Sequence, residues 1–303
     1  MTLTQMRYAI TVADSKSMNE AARNLFISQP SLSSSIKELE REAGIEIFRR
    51  TNRGICLTPD GEEFIGYARQ VVEQYQLIES KYVTKESVKK KFAVSMQHYS
   101  FAVVAFVEMV KQFGMEEYEF AIHETKTFEV IEDVKTFRSE IGILFINEFN
   151  RKVMMKIFRE CGLEFHAILD CGIYVYLWKG HPLAGREEIA LEELGEYPCL
   201  SFEQGEYNSF YFAEEVLSTY EYKQLIKAND RATMLNLAVG LNGFTLCSGI
   251  LCEELNGSDY CAVKLKSDEV MTIGYIVRSG VAISPLGEKY LEEIGKFRDR
   301  GML

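Results

Sequence analysis

Apolar residues over the first sixty positions recur at helical spacing. Met6, Ile10 and Ala13 mark one face of a helix over Thr4 to Asp14. Ser17 stands three residues before Glu20, a capping box in which the serine accepts from an amide and the glutamate reaches back. The helix that follows carries Ala21, Ala22 and Leu25, small enough for a neighbour to approach closely. Ser28 caps a third helix, with Pro30 in the first turn, where a missing N–H costs little. Leu32, Ile36 and Leu39 form its buried stripe, and Pro30, Ser34, Lys37 and Arg41 point the other way. With Ser31 and Ser33 beside them, that face is small, hydroxyl-rich and weakly basic. Such a surface suits a major groove, and a solvated helix of any α-rich domain shares it.

The pattern then shortens. Phe48 to Thr58 reads as a hairpin turning at Asn52-Arg53-Gly54, with Arg49, Arg50 and Arg53 close together. A basic two-stranded wing can lie along a phosphate backbone or enter a minor groove. Thr58 and Pro59 open a long helix. Along it Phe64, Ala68, Val71, Tyr75, Ile78 and Tyr82 follow spacings of 4, 3, 4, 3 and 4, a heptad seam that calls for a partner helix. Packing on the helix's own following domain is the alternative. Lys85 to Lys91 is polar and reads as a hinge.

From Phe92 onward strands alternate with helices. Strands are predicted over 92–96, 118–124, 141–146, 198–202, 243–247 and 271–277, with 163–178 rich in strand. Helices are predicted over 100–112, 128–138, 209–220, 231–239 and 285–297. The order predicts an α/β unit with parallel strands.

The 303 residues suffice for two or three domains. No apolar run is long enough to cross a bilayer and no secretory signal is visible, which places the chain in the cytoplasm. The net charge of −11 argues against nucleic acid until it is divided along the chain. Residues 1–60 carry 8 Lys and Arg against 7 Asp and Glu, while the remainder carries 26 against 38. A near-neutral head on an acidic body can bind DNA where its cations cluster. Seven cysteines, odd in number and without a C-x-x-C pair, fit reduced thiols.

Ser17-Met18-Asn19-Glu20-Ala21-Ala22-Arg23-Asn24-Leu25, Ser28-Gln29-Pro30-Ser31-Leu32-Ser33, Phe48-Arg49-Arg50 and Leu57-Thr58-Pro59-Asp60-Gly61 together resemble the LysR-type transcriptional regulators. The resemblance implies a winged helix-turn-helix over 1–58, a linker and dimerisation helix with hinge over 59–91, and an effector-binding α/β domain over 92–303. It assigns DNA contacts to Ser17, Ser28, Gln29, Pro30, Ser31, Ser33, Ser34 and Lys37, with Arg49, Arg50 and Arg53 on the wing. Ser34 and Ser35 depart from the Arg or Gln common there, which implies fewer direct base contacts. His181-Pro182-Leu183-Ala184 and Gly240 to Thr245 resemble landmarks of the effector domain, whose fold is that of type 2 periplasmic binding proteins. Two subdomains are implied, 92–161 with 266–303, and 162–265, around a hinged cleft. Implied partners are double-stranded DNA, a small-molecule effector, RNA polymerase indirectly, and further copies of the chain in a homodimer or tetramer. No cofactor, metal or membrane is implied.

Loops between strand ends and helix starts expose free N–H groups, and open α/β sheets bind ligands there. Gln97, His98, Tyr99 and Ser100 lie at one such junction, Thr125 and Thr127 at the next, and Phe202, Glu203 and Tyr207 at a third. The expectation is a small polar, anionic metabolite held by Ser100, Thr125 and Thr127, with Glu203 available to an amine. Each of these groups could instead simply cap its own helix. Two other functions stay open. Cys161, Cys171 and Cys199 could serve a thiol-based redox-sensing regulator on the same scaffold. An enzyme is the less favoured reading, because the four histidines are scattered and no H-E-x-x-H, G-x-S-x-G or phosphate-loop motif occurs.

Overall fold

The computed structural model describes all residues except 16, 52–53, 80–81, 84–88, 115–116, 208, 253–256 and 300–303. Two compact units emerge, one of Met1–Lys90 with Lys135–Arg138, the other of Lys91–Val134 and Ser139–Leu303.

In the first unit, α1 (Leu3–Ala13), α2 (Met18–Asn24) and α3 (Gln29–Ala43) precede a hairpin of β1 (Phe48–Thr51) and β2 (Gly54–Leu57). Ser17 accepts from the Glu20 amide, the serine half of the expected capping box, and Ser28 accepts from the Ser31 amide as expected. Gly44 takes a left-handed conformation, φ 71°, and ends α3. The buried stripe of α1 is Gln5, Ala9 and Val12, not the expected Met6, Ile10 and Ala13. The shift lets the small Ala9 and Val12 nest against α2 and α3, whose Ala21, Ala22, Leu32, Ile36 and Leu39 complete the core with Ile47 and Phe48. The Glu40 carboxylate accepts from the amides of Ile47 and Phe48 at 2.8 and 3.0 Å, which ties the hairpin's first strand to α3.

Helix α4 (Pro59–Glu79) is rooted in this head. Thr58 accepts from the Gly61 amide at 2.9 Å and donates to the Glu46 carbonyl at 2.5 Å. A Cβ on Gly61 would overlap the Ile47 carbonyl oxygen, so only glycine allows this approach. Ile65 belongs to the head core, and Ala68 and Val72 are also buried. Arg69 pairs with Asp14 at 2.5 Å, and the Arg7 guanidinium lies over the Tyr75 ring. The hinge expected over 85–91 lies mostly outside the described residues.

The second unit holds two sheets. The first has the order β4-β3-β5-β13-β6, built from β3 (Lys90–Met96), β4 (Tyr118–Glu124), β5 (Ile141–Ile146), β6 (Leu163–Cys171) and β13 (Met271–Arg278). Helices α5 (Ser100–Phe113), α6 (Thr127–Lys135), α7 (Glu148–Glu160) and α9 (Pro285–Asp299) accompany it. All six residues of β5 are buried, as a strand covered on both faces requires. β3 and β5 run parallel, but β13 is antiparallel to both β5 and β6, so the sheet is mixed rather than parallel throughout.

The second sheet has the order β11-β7-β12-β8, from β7 (Tyr174–Trp178), β8 (Glu188–Ile189), β11 (Thr245–Cys247) and β12 (Tyr260–Leu265). A separate parallel pair, β9 (Cys199–Phe202) and β10 (Leu225–Ala228), joins it near α8 (Arg231–Leu241). Two expectations need correction. The first crossover follows Cys171, not residue 161, because β6 bonds along its length to β13 and so belongs to the first subdomain. The helix expected over 209–220 is only a single 3-10 turn, Phe210–Phe212. The side chains of Glu214 and Glu215 there are turned inward to hydrogen bonds with His98 and the Phe202 amide, and the chain leaves the helical path to deliver them.

Candidate nucleic-acid interface and effector cleft

On α3 the outward face carries Pro30, Ser31, Ser34 and Lys37, all exposed, with Gln29 and Ser33 half-buried beside them. Gln29 donates to the Ser33 hydroxyl at 2.7 Å, and the Ser28 and Ser31 hydroxyls lie 2.7 Å apart. These side chains are oriented by one another. Arg41 is drawn toward Glu38 at 3.7 Å, whereas Lys37 pairs with no acid among the described residues. Ser17 is half-buried and engaged as the cap of α2. On the wing, Arg49 is exposed with its Nε 3.3 Å from the Cys56 sulfur. The side chain of Arg50, all of Arg53 and most of the expected turn lie outside what is described.

The expected seam of α4 divides. Phe64 packs against the head core and Ala68 is buried. Val71, Tyr75, Ile78 and the following Tyr82 are exposed, Ile78 at 58%. A helix leaving this much apolar surface in water is poised to pair.

In the second unit a cavity of about 110 Å³ lies between the two subdomains. His98, Tyr99, Ser100, Phe101 and Met271 line it from the first, and Tyr176, Leu200, Phe202, Glu214, Glu215, Arg231 and Met234 are among those from the second. Side chains of the two subdomains meet across the cleft. His98 stacks on Phe202 with centroids 3.6 Å apart, and its Nδ1 lies 2.7 Å from a Glu214 oxygen. Gln204 donates to the other Glu214 oxygen and accepts from the Thr127 amide. Arg231 forms an ion pair with Glu124.

Of the residues expected to hold an effector, His98, Tyr99, Ser100 and Phe202 reach the cavity. Gln97, Thr125, Thr127, Glu203 and Tyr207 do not. Gln97 is buried and fully engaged, donating to Thr127 at 2.5 Å and accepting from Tyr99 and the Phe145 amide. Thr127 donates to the Phe212 carbonyl, and Thr125 to Glu129. Glu203 is exposed, and Tyr207 stacks on Phe128 at 3.6 Å. The expected anion holder of Ser100, Thr125 and Thr127 is therefore not assembled. The acids at the cavity are Glu214 and Glu215, which nothing local in the sequence distinguishes from a solvated helix face. Burial, and after it the charge of Glu214, push the Glu215 carboxyl up to about 8. Tyr176, Thr245 and Arg231 are further lining residues that the reading of junction loops missed.

The buried thiols do not resemble a redox sensor's. Burial pushes Cys171 and Cys247 up to about 12 and Cys199 higher still, the opposite of the lowered value a reactive thiolate needs. Among the described residues no group of three His, Cys, Asp or Glu could hold a metal ion, and no helix is long and apolar enough to cross a membrane.

A winged helix-turn-helix head, a helix with an exposed apolar seam and a two-subdomain α/β domain with a cavity between its subdomains define a class of DNA-binding regulators. The comparisons with known proteins agree. Residues 3–62 match the family described as bacterial regulatory helix-turn-helix protein, lysR family, and residues 100–297 match the LysR substrate binding domain. The chain belongs to the LysR family of DNA-binding transcription regulators. It is 22% identical over 294 residues to the uncharacterised HTH-type transcriptional regulator YbhD of Escherichia coli (strain K12), covering 95% of this chain and 89% of that one. Over 205 residues it is 28% identical to the HTH-type transcriptional regulator AlsR of Bacillus subtilis (strain 168), covering 66% and 64%. A full-length OxyR variant from Pseudomonas aeruginosa superposes with a TM-score of 0.64 at 21% identity, covering 97% of this chain and 94% of that one, a likeness of fold.

Proposed function

We propose that this regulator acts in the cytoplasm as a homodimer or a tetramer built from dimers, and that a small molecule in the cleft cavity sets how it holds its operator. In this reading α3 enters the major groove by its Ser28–Lys37 face, while Arg49, Arg50 and Arg53 of the wing meet the backbone. The exposed Val71, Tyr75, Ile78 and Tyr82 pair two copies and so place two heads on a roughly palindromic site. RNA polymerase is helped or blocked through the DNA geometry that results.

The observation that carries the effector reading is the cavity, with walls from both subdomains. A ligand that fills it binds the closed arrangement better than an open one, and only such a difference in affinity can shift an equilibrium. The test is footprinting of DNA upstream of this gene and its neighbours, with and without metabolites that raise the protein's melting temperature. The expected result is salt-sensitive protection whose extent changes with a stabilising metabolite. Unchanged protection with every metabolite that binds defeats the coupling, and no salt-sensitive protection at all defeats the reading of the head.

A further inference from the structure

Two locally unfavourable choices meet at one contact. Phe137 has φ 61°, a left-handed conformation that a bulky side chain rarely takes. Gly66 lies inside α4, where alanine is the better helix former. A Cβ on Gly66 would stand 2.9 Å from Cδ2 of the Phe137 ring and 3.2 Å from its Cε2, so the glycine makes the seat that the ring occupies. Tyr67 borders that seat, its ring centroid 5.8 Å from that of Phe137. Lys135–Arg138 thus packs within the first unit, although Val134 before it and Ser139 after it belong to the second. Residues that break local preferences at the same place mark a site where position outweighs stability.

The helix that leads to Phe137 starts in the cleft. The Thr127 amide donates to Gln204 at 3.1 Å and the Thr127 hydroxyl to the Phe212 carbonyl at 2.7 Å, both reaching the other subdomain. From there α6 runs to Lys135, roughly 13 Å along its axis. Its Val130, Ile131 and Val134 share one buried cluster with Leu144 and Ile146 of β5. Its Asp133 side chain accepts from the Ser95 hydroxyl at 2.6 Å, and the Asp133 carbonyl accepts from the Ser139 amide at 3.0 Å. A helix fastened along its length moves as one piece, so a displacement at Thr127 is carried to Phe137. The seat is equally firm on its own side. Ile65, one residue before Gly66, packs in the head core, and Arg69, three residues after it, pairs with Asp14 beyond the end of α1.

We infer that Phe137 is a positioning residue for operator binding, the point at which α6 passes the state of the cleft to α4 through the seat at Gly66. The inference rests on the reading that the cleft governs how the operator is held, and adds the residue that transmits it.

A double-mutant cycle in the full-length protein tests it, with affinity for a labelled duplex from upstream of its own gene as the readout. Gln204→Ala removes the acceptor of the Thr127 amide. Thr127→Val removes the hydroxyl bond to Phe212 at nearly constant volume and serves as a second cut where the first does not fold. Phe137→Gly suits the left-handed backbone and Gly66→Ala suits the helix, so both backgrounds should fold, which thermal melting verifies. With Phe137 and Gly66 in place, a cut is expected to change duplex affinity by about fivefold or more. In either altered background the same cut is expected to change it by less than about twofold, and Phe137→Tyr, which keeps the ring, should retain the full response. A response that persists in either background overturns Phe137 as the point of transmission, and so does the absence of any response with both residues in place. Footprints that still change with a stabilising metabolite would then keep the effector reading while the role of Phe137 falls.

Discussion

The Glu214 carboxylate meets His98 twice, taking the backbone N–H at 3.1 Å and lying 2.7 Å from ring Nδ1 through the same oxygen. The two residues come from different subdomains, and both side chains are nearly inaccessible to solvent. This contact fastens the cleft, because Gln204 on the other Glu214 oxygen also binds the Thr127 amide. Glu214→Ala leaves the His98 and Gln204 donors without an acceptor in a buried place. It is expected to cost about 3 kcal/mol, read as a lower denaturant midpoint for the effector domain. A midpoint unchanged from wild type refutes the fastening role.

Glu215 makes the stability of the effector domain depend on pH. Its folded value is about 8 against an ordinary 4.5, raised first by burial and then by Glu214. Below 4.5 the acid is protonated whether folded or not and contributes nothing. Between 4.5 and about 8 the unfolded chain gives up a proton that the folded chain keeps, so stability falls as pH rises and levels off above 8. Glu215→Gln keeps an acceptor for the Phe202 amide and removes this loss. Its advantage is expected to be absent near pH ~4 and to grow to about 2–4 kcal/mol above pH ~8. Urea titrations across that range check it, and a gain independent of pH contradicts the assignment.

Gly61 tests how the head is joined to its long helix. Gly61→Ala forces a Cβ into the Ile47 carbonyl, and relief requires α4 to move off the hairpin. The expected result is a loss of about 2 kcal/mol or more in the stability of the head, together with weaker DNA binding. Hydrogen exchange at the Ile47 and Thr58 amides should show the site of the damage.

The exposed seam predicts self-association. Asp at Val71 and Ile78 puts charge on surface that is already in water in a single chain, so the fold should tolerate it. In an assembly those carboxylates would be desolvated. The double variant is expected to sediment as a monomer with unchanged helicity, and an unaltered sedimentation coefficient rules the seam out as the interface.

DNA contacts separate by their dependence on salt. Lys37→Ala and Arg49→Ala should each lower the slope of log affinity against log salt by about 0.9, the effect of one phosphate contact. Ser34→Ala should alter preference among operator sequences and leave that slope unchanged. Fluorescence anisotropy across a salt series distinguishes the two, and no change of slope in either cationic variant removes both from the interface.

Much of the head could be read from the chain because its determinants are local. Ser17, Ser28 and Thr58 cap the helices they precede, and Leu32, Ile36 and Leu39 bury as a stripe, because each depends on residues within a turn or two. The α1 stripe was misplaced by one position. Which face is buried there depends on how closely α2 and α3 approach, a property of the packed unit rather than of the helix. That β6 belongs to the first sheet and not to the second subdomain is not legible in the sequence for a similar reason. An alternating strand does not state its partner, and Leu163–Cys171 pairs with β13 more than a hundred residues on.

The cleft shows the division most sharply. Local spacing and capping chemistry alone determined that helices, a wing and alternating strands would form, and where most of them start. Only the tertiary structure decided which polar groups meet. It engaged Thr125, Thr127 and Gln97 in hydrogen bonds within the protein, left Glu203 in water, and drew Glu214 and Glu215 inside. Whether a side chain is satisfied, buried or left in water depends on atoms distant in sequence, and no window along the chain contains them.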